Sequence, residues 1–187
     1  MNYLFVDLDR TFIGCNSFSR ELKIFIRGTG LINSISLFLA LPTYTRLAVK
    51  QFIYTQITHL DYSECVNKSV LKTIEDYKSQ GYIIILATAA VEQSAKRIVA
   101  PFKCFDEVIG SRDQINLKGS KKLAAIKNRI GLSSFIYIGD STSDFVIFKS
   151  TRACVLVSNS RLRIFRAKLK FGDKVSIVRG ESCQHAH

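Results

Sequence analysis

The chain repeats one pattern five times: a short apolar run followed by a longer stretch with helical spacing. The runs are Tyr3 to Val6, Tyr82 to Ala87, Phe105 to Ile109, Phe135 to Ile138 and Ala153 to Val157. Apolar residues in succession, rather than alternation, mark strands buried on both faces, and only the third run is interrupted, by Asp106 and Glu107. Such strands separated by helical segments predict βαβ units, and hence a parallel sheet with helices on both sides. Two of the intervening helices carry their own stop signals. Ser63 to Gln80 ends at Gly81, and Leu123, Ile126 and Ile130 line one face of a helix that ends at Gly131. Glycine suits that position because it accepts the left-handed backbone that closes a helix.

From Cys15 to Asp61 the pattern breaks, with no strand and a connection far longer than a normal crossover. Such a stretch is expected to be an insertion with its own structure. Within it, Gly28 to Thr45 holds no charged residue, which raises the question of a membrane span. Gly28, Gly30, Asn33, Ser34, Ser36 and Pro42 interrupt the run, and a span needs ~20 mostly apolar residues. A small all-helical cap over the carboxyl edge of the sheet is the better reading, with an interfacial helix second. The expected fold is therefore α/β, a Rossmann-like three-layer sandwich with a mostly parallel sheet. Its core comprises residues 1–14 and 62–180, its cap residues 15–61, and residues 181–187 form a flexible tail.

Composition narrows the picture modestly. The 187 residues suffice for one sizeable core, and 47% apolar with 22% charged residues is ordinary for a folded chain. Five cysteines, none in a CxxC pair, argue against a disulfide framework or a zinc knuckle and suit a reducing compartment. The first apolar stretch is too short for a signal peptide and lacks a charged leader, so a cytoplasmic location is expected. The net charge of +12 predicts attraction to polyanions or anionic surfaces. The excess is local: Lys23 to Leu60 has no acid, and Arg161 to Arg179 has seven bases against one acid.

The candidate chemistry lies in four polar clusters, DLDRT (Asp7 to Thr11), LATAA with Thr88, KGSKK with Lys121 and Lys122, and GDSTSD (Gly139 to Asp144). Three of them follow predicted strands, and the carboxyl ends of strands are where open parallel sheets build their sites. Alone, each is weak: a threonine after a strand is usually a cap, lysines are usually solvated, and Gly-Asp is a common turn. Their order and placement together resemble the haloacid dehalogenase-type hydrolase superfamily, with its DxDx(T/V), Thr or Ser, Lys and GDxxxD motifs. The resemblance runs from Asn2 to about Val157.

That resemblance implies a phosphatase. A phosphomonoester is an anion, so a carboxylate can attack it only where a cation and hydrogen-bond donors offset the repulsion. Asp7 is then the nucleophile that forms an aspartyl-phosphate, with Mg²⁺ between it and the phosphate. Asp9, through its side chain, is the general acid and then the base, and its carbonyl reaches the metal. Asp140 is a further metal ligand, and Asp144 holds a metal-bound water or orients the lysine. Thr88 donates to a phosphoryl oxygen at a helix N-terminus. For the fixed positive charge, Lys122 is preferred to Lys121, with Lys118 behind, because Lys122 lies three residues after Gly119 as in NLKGxxK. Arg10 stands where the commonest form of the motif has glycine; it either assists substrate binding or points to solvent.

An insertion between the first two motifs resembles a C1-type cap, which would close over the site and select the leaving group. The wording LATAA, NLKG and YIGDS is more loosely similar to hydrolase domains fused to polyprenyl-transferring membrane enzymes. With the basic, apolar cap and RLRIFRAKLKF, this leans toward a phosphorylated small molecule or lipid-linked phosphate as substrate, and toward peripheral contact with an anionic membrane. Nucleic acid is disfavoured, since the bases are dispersed and no binding module is present. A phosphotransferase, or a non-catalytic docking protein on the same fold, is the alternative. No feature of the sequence encodes an oligomeric state.

Overall fold

The computed structural model describes residues 1–30, 46–57, 60–113, 115–181 and 183. Six parallel strands form one sheet: β1 (Tyr3–Val6), β2 (Ile83–Val91), β3 (Glu107–Ser111), β4 (Phe135–Gly139), β5 (Ala153–Val157) and β6 (Val175–Val178). Their order across the sheet is β3-β2-β1-β4-β5-β6. The chain thus winds outward from β1 in one direction, then returns to β1's other side, and the reversal lies between β1 and β4. In open α/β sheets such a reversal leaves a crevice at the strands' carboxyl ends.

Alternate residues of the apolar runs feed two cores. Leu4, Val6, Ile84 and Leu86 pack with Val70 and Ile74 of α3 (Lys68–Ser79) and with Ala95 and Ile98 of α4 (Glu92–Val99). On the other face, Tyr3, Phe5 and Ile85 pack with Ile126 of α5 (Ser120–Ile130), Phe148 of α6 (Phe145–Phe148) and Ala167 of α7 (Arg161–Phe171). Helix–sheet–helix is the three-layer arrangement predicted from the buried runs.

Between β1 and α3 lie α1 (Ser17–Thr29) and α2 (Arg46–Gln56), which meet through Phe25, Ile53 and, just past the end of α2, Ile57. Asn16 caps α1 by accepting from the Ser19 N–H at 2.9 Å. The greater part of the uncharged run that ends at Thr45 lies outside the described residues, as do His59, His185 and His187. Among the described residues no helix is long and apolar enough to cross a membrane.

Four features depart from the sequence reading. The helix expected from Ser63 starts at Lys68, because Asn67 caps it by accepting from Val70 N–H at 3.2 Å; Ser63–Cys65 is a single 3-10 turn. Strand β6 carries no unbroken apolar run, since it is an edge strand with Ser176 exposed. Cys65 and Cys183 form a disulfide across a separation of 118 residues, against the reading that the cysteine pattern argues against a disulfide framework and suits a reducing compartment. Glu181, placed in the flexible tail, accepts from the Lys68 and Ser69 N–H groups at 3.2 and 3.3 Å, satisfying free donors at the start of α3.

Candidate active site

The first acid of DLDRT leaves the sheet at the reversal point. Asp7 follows β1, its N–H donates to the Ile138 carbonyl at 2.9 Å, and its side chain is buried. Asp140 follows β4, the strand beside it, so the sheet itself brings the first and last acidic motifs together. Helix α5 then delivers Lys122, whose Nζ donates to Asp7 Oδ1 at 2.9 Å and lies 3.6 Å from Asp144 Oδ1. Lys121 and Lys118 are exposed, whereas Lys122 is only 3% exposed. Spacing within the helix explains the choice, since Lys122 shares the inward face with Ile126 and Ile130.

The GDSTSD segment is built tightly. Ser141 and Asp144 cap one 3-10 turn reciprocally: Asp144 Oδ2 accepts from the Ser141 N–H at 3.0 Å and from its hydroxyl at 2.6 Å. That leaves Asp144 Oδ1 for Tyr137, whose hydroxyl donates to it at 3.1 Å while accepting from Lys122 at 2.9 Å. Gly139 is required by this crowding. A Cβ there would come within 2.7 Å of Tyr137 Cε1 and 3.0 Å of the Asp144 carboxylate.

The motif reading gives Tyr137 and Arg163 no role in the site. Tyr137 sits inside an apolar run, where it reads as one more core residue; only its hydroxyl distinguishes it. Arg163, on α7, donates to the Asp140 carbonyl at 2.9 Å, a contact that no local motif encodes.

Asp9 lies at the start of α1, where its carboxylate accepts from the Ser17 N–H at 2.8 Å and from Asn16 Nδ2 at 3.5 Å. Helix N-termini favour such anions. Arg10 is exposed and has a φ of 57°, the left-handed region, which explains why glycine suits this position. Its charge is near enough to lower the Asp140 pKa. Thr88 is buried within β2, which shifts register between Ala87 and Val91, and α4 begins only at Glu92. It therefore lies on an irregular strand end rather than at the expected helix N-terminus, and its Oγ1 accepts from the Ala90 N–H at 3.1 Å. Lys50 of α2 donates to the adjacent Ala89 carbonyl at 3.3 Å, so the inserted helices reach over this edge.

Burial sets the electrostatics. It pushes the Asp7 carboxyl up to about 7, with Lys122 opposing and Asp144 and Asp9 reinforcing. It pushes Asp140 up to about 6, with Asp144 adding to the rise and Arg163, Arg10 and Lys122 opposing it. For Lys122, burial disfavours the charge, but Asp7 and Asp144 outweigh it and hold the ammonium above its ordinary range. The cleft thus carries more acid than one buried lysine can keep ionised. Asp7, Asp140 and Asp144 each offer an oxygen, and the three lie within 4.8 Å of one another. Three hard oxygens with excess negative charge fit a small divalent cation such as Mg²⁺. The Asp9 carboxylate is outside this cluster.

No family model and no curated protein matches the chain. Solved structures do. A protein of unknown function from Bordetella pertussis Tohama I aligns with a TM-score of 0.69 at 13% identity, covering 93% of this chain and 97% of that one. A predicted phosphatase from Clostridium acetobutylicum aligns at 0.62 and 18% identity, covering 94% and 93%. A haloacid dehalogenase-like family hydrolase from Streptococcus pneumoniae aligns at 0.56 and 12% identity, covering 96% and 93%. The chain has the haloacid dehalogenase-like fold. Identities this low establish the shared fold alone. On the haloacid dehalogenase-like fold, the acids and Lys122 occupy the sheet's carboxyl edge, at the reversal between β1 and β4.

Proposed function

We propose that this protein is a Mg²⁺-dependent phosphomonoesterase that works through an aspartyl-phosphate on Asp7. The observation that carries the reading is the convergence of Asp7, Asp140 and Asp144 within 4.8 Å, with Lys122 Nζ 2.9 Å from Asp7. Asp7 Oδ1 accepts from Lys122 and from the Leu8 N–H at 2.9 Å, which fixes the carboxylate plane and leaves Oδ2 as the attacking atom. Asp7, Asp140 and Asp144 would hold Mg²⁺, with the Asp9 carbonyl as a further oxygen; the ion supplies charge neutralisation for the approaching phosphate.

In the first half-reaction Asp7 Oδ2 bonds to phosphorus, the ester P–O bond breaks, and Asp9 gives its proton to the leaving oxygen. In the second, water attacks the same phosphorus, the bond to Asp7 breaks, and Asp9 takes the water's proton. Lys122 and the Thr88 hydroxyl stabilise phosphoryl oxygens, and Tyr137 and Asp144 hold Lys122 in place. Arg10 adds positive charge at the entrance. Because Asp9 accepts from the first residues of α1, the acid–base group is tied to the inserted helices, which select the leaving group. The substrate class is a phosphorylated small molecule or a lipid-linked phosphate monoester.

The test is hydrolysis of an aryl phosphate by the purified protein. Phosphate release that requires Mg²⁺, stops with EDTA and is abolished by Asp7→Asn supports the proposal. Release that persists in Asp7→Asn overturns the nucleophile, and release that persists after EDTA overturns the metal.

A further inference from the structure

Helix α7 inverts the usual arrangement of a surface helix. Its inner side packs normally: Ala167 is buried, and the Phe171 ring lies 5.2 Å from Phe145 and 5.6 Å from Phe148. The outward side should be polar. Instead Leu162, Phe165 and Leu169 are 58%, 64% and 78% exposed. At about 100° per residue these three fall within roughly 60° of one another, opposite Ala167 and Phe171. On the same wheel Arg161 and Lys168 flank the stripe on one side, and Arg166 and Lys170 on the other. No acid occurs in the helix. Of the seven large apolar side chains exposed among the described residues, three share this one face.

We propose that α7 docks the protein onto an anionic bilayer surface. The Leu162–Phe165–Leu169 stripe enters the boundary between headgroups and acyl chains, and the flanking arginines and lysines meet lipid phosphates. Two observations select this occupant. A second copy seated stripe to stripe would set basic flanks against each other on chains that each carry +12. A nucleic acid would pair with the bases but leave the apolar stripe in water. An anionic bilayer satisfies both the stripe and its flanks. The inference is independent of the catalytic proposal, since none of these side chains belongs to the acid cluster. Helix α7 nevertheless reaches it through Arg163, which places the docked face next to the cleft's wall.

Vesicle flotation tests this directly, with phosphatidylcholine alone against phosphatidylcholine containing phosphatidylserine. The chain has no tryptophan, so Phe165→Trp introduces a single fluorescent reporter on the stripe. The expected result is flotation only with the anionic vesicles, weakened by salt, with a blue shift of the introduced indole's emission. Each change of Arg166, Lys168 or Lys170 to Gln should weaken binding about fivefold. Phe165→Ser with Leu169→Ser should remove it, leaving aryl phosphate hydrolysis unchanged, and Asp7→Asn should float like the parent. Absence of flotation at low salt overturns the proposal. So does flotation without a blue shift, or vesicle binding that survives the double serine change. A dimer in sedimentation that Phe165→Ser dissolves would replace the bilayer with a second copy and equally overturn it.

Discussion

The cleft at the carboxyl edge and the outward face of α7 violate the ordinary distribution of residues in opposite directions. In the cleft, Asp7, Lys122, Asp140 and Asp144 are ionisable groups taken out of water. On α7, Leu162, Phe165 and Leu169 are apolar groups left in it. The cleft is held by a network in which Tyr137 bridges Lys122 and Asp144, so each member depends on the others. The α7 stripe lies mostly in solvent. Buried charge therefore couples function to stability, whereas an exposed apolar stripe separates the two. Substitutions in the cleft should cost both folding and activity, and substitutions on the stripe should cost only what the stripe binds.

The largest effect is expected for Lys122→Met. It leaves Asp7 and Asp144 without their cation, and breaking a buried pair from one side costs about 3–5 kcal/mol. Urea unfolding should show that loss, with hydrolysis down at least a hundredfold. Gly139→Ala should follow, since its Cβ has no room beside Tyr137 and Asp144. Overpacking of this kind costs about 1–3 kcal/mol, and displacement of Asp144 should lower kcat about a hundredfold with a smaller change in KM. Arg10→Gly should go the other way in stability, by about 1 kcal/mol, because it relieves a left-handed residue. Its KM for aryl phosphate should rise as the entrance loses a charge.

A subtler effect concerns Glu21, which is buried in α1 and accepts from the Ser94 hydroxyl. Burial raises its pKa, with Ser94 opposing. A carboxyl that binds its proton more tightly when folded contributes stability that is complete below the unfolded pKa of about 4.3 and lost as pH rises through the folded value. Glu21→Gln mimics the protonated form, so its Tm should exceed the parent's at pH 8 and match it near pH 4. A Tm advantage that is independent of pH would contradict this. The smallest stability effect is expected for Phe165→Ser, within about 0.5 kcal/mol. A loss above 2 kcal/mol there would mean that the stripe supports the fold, and the contrast with the cleft would fail.

How much of this was written legibly in the chain follows from the same physics. Strands β1, β2, β4 and β5 could be read because burial on both faces leaves unbroken apolar runs, whereas the edge strand β3 begins at Glu107 and was marked only by Val108 and Ile109 after Phe105. Strand β6, at the other edge, was hidden because exposed Ser176 breaks its short apolar stretch. The acids and Lys122 were legible because helix and strand ends place motif residues locally. Tyr137 was hidden by its apolar neighbours, and Arg163 by the 23 residues of sequence that separate it from the Asp140 carbonyl it contacts. The pairing of Cys65 with Cys183 depends on the last strand returning the chain beside α3, which no local spacing encodes. The positive φ of Arg10 agrees with the backbone ease that glycine would give this position.

The measurement that bears most directly on the central claim is trapping of the phosphorylated protein. Wild-type protein would be mixed with an aryl phosphate and Mg²⁺, quenched in acid, and its peptides mapped by mass spectrometry. The account predicts a hydroxylamine-sensitive phosphoryl group on Asp7, absent when EDTA precedes the substrate and absent in Asp7→Asn. A phosphoryl group on any other residue, or turnover with an unmodified Asp7 under conditions that trap acyl phosphates, would contradict it.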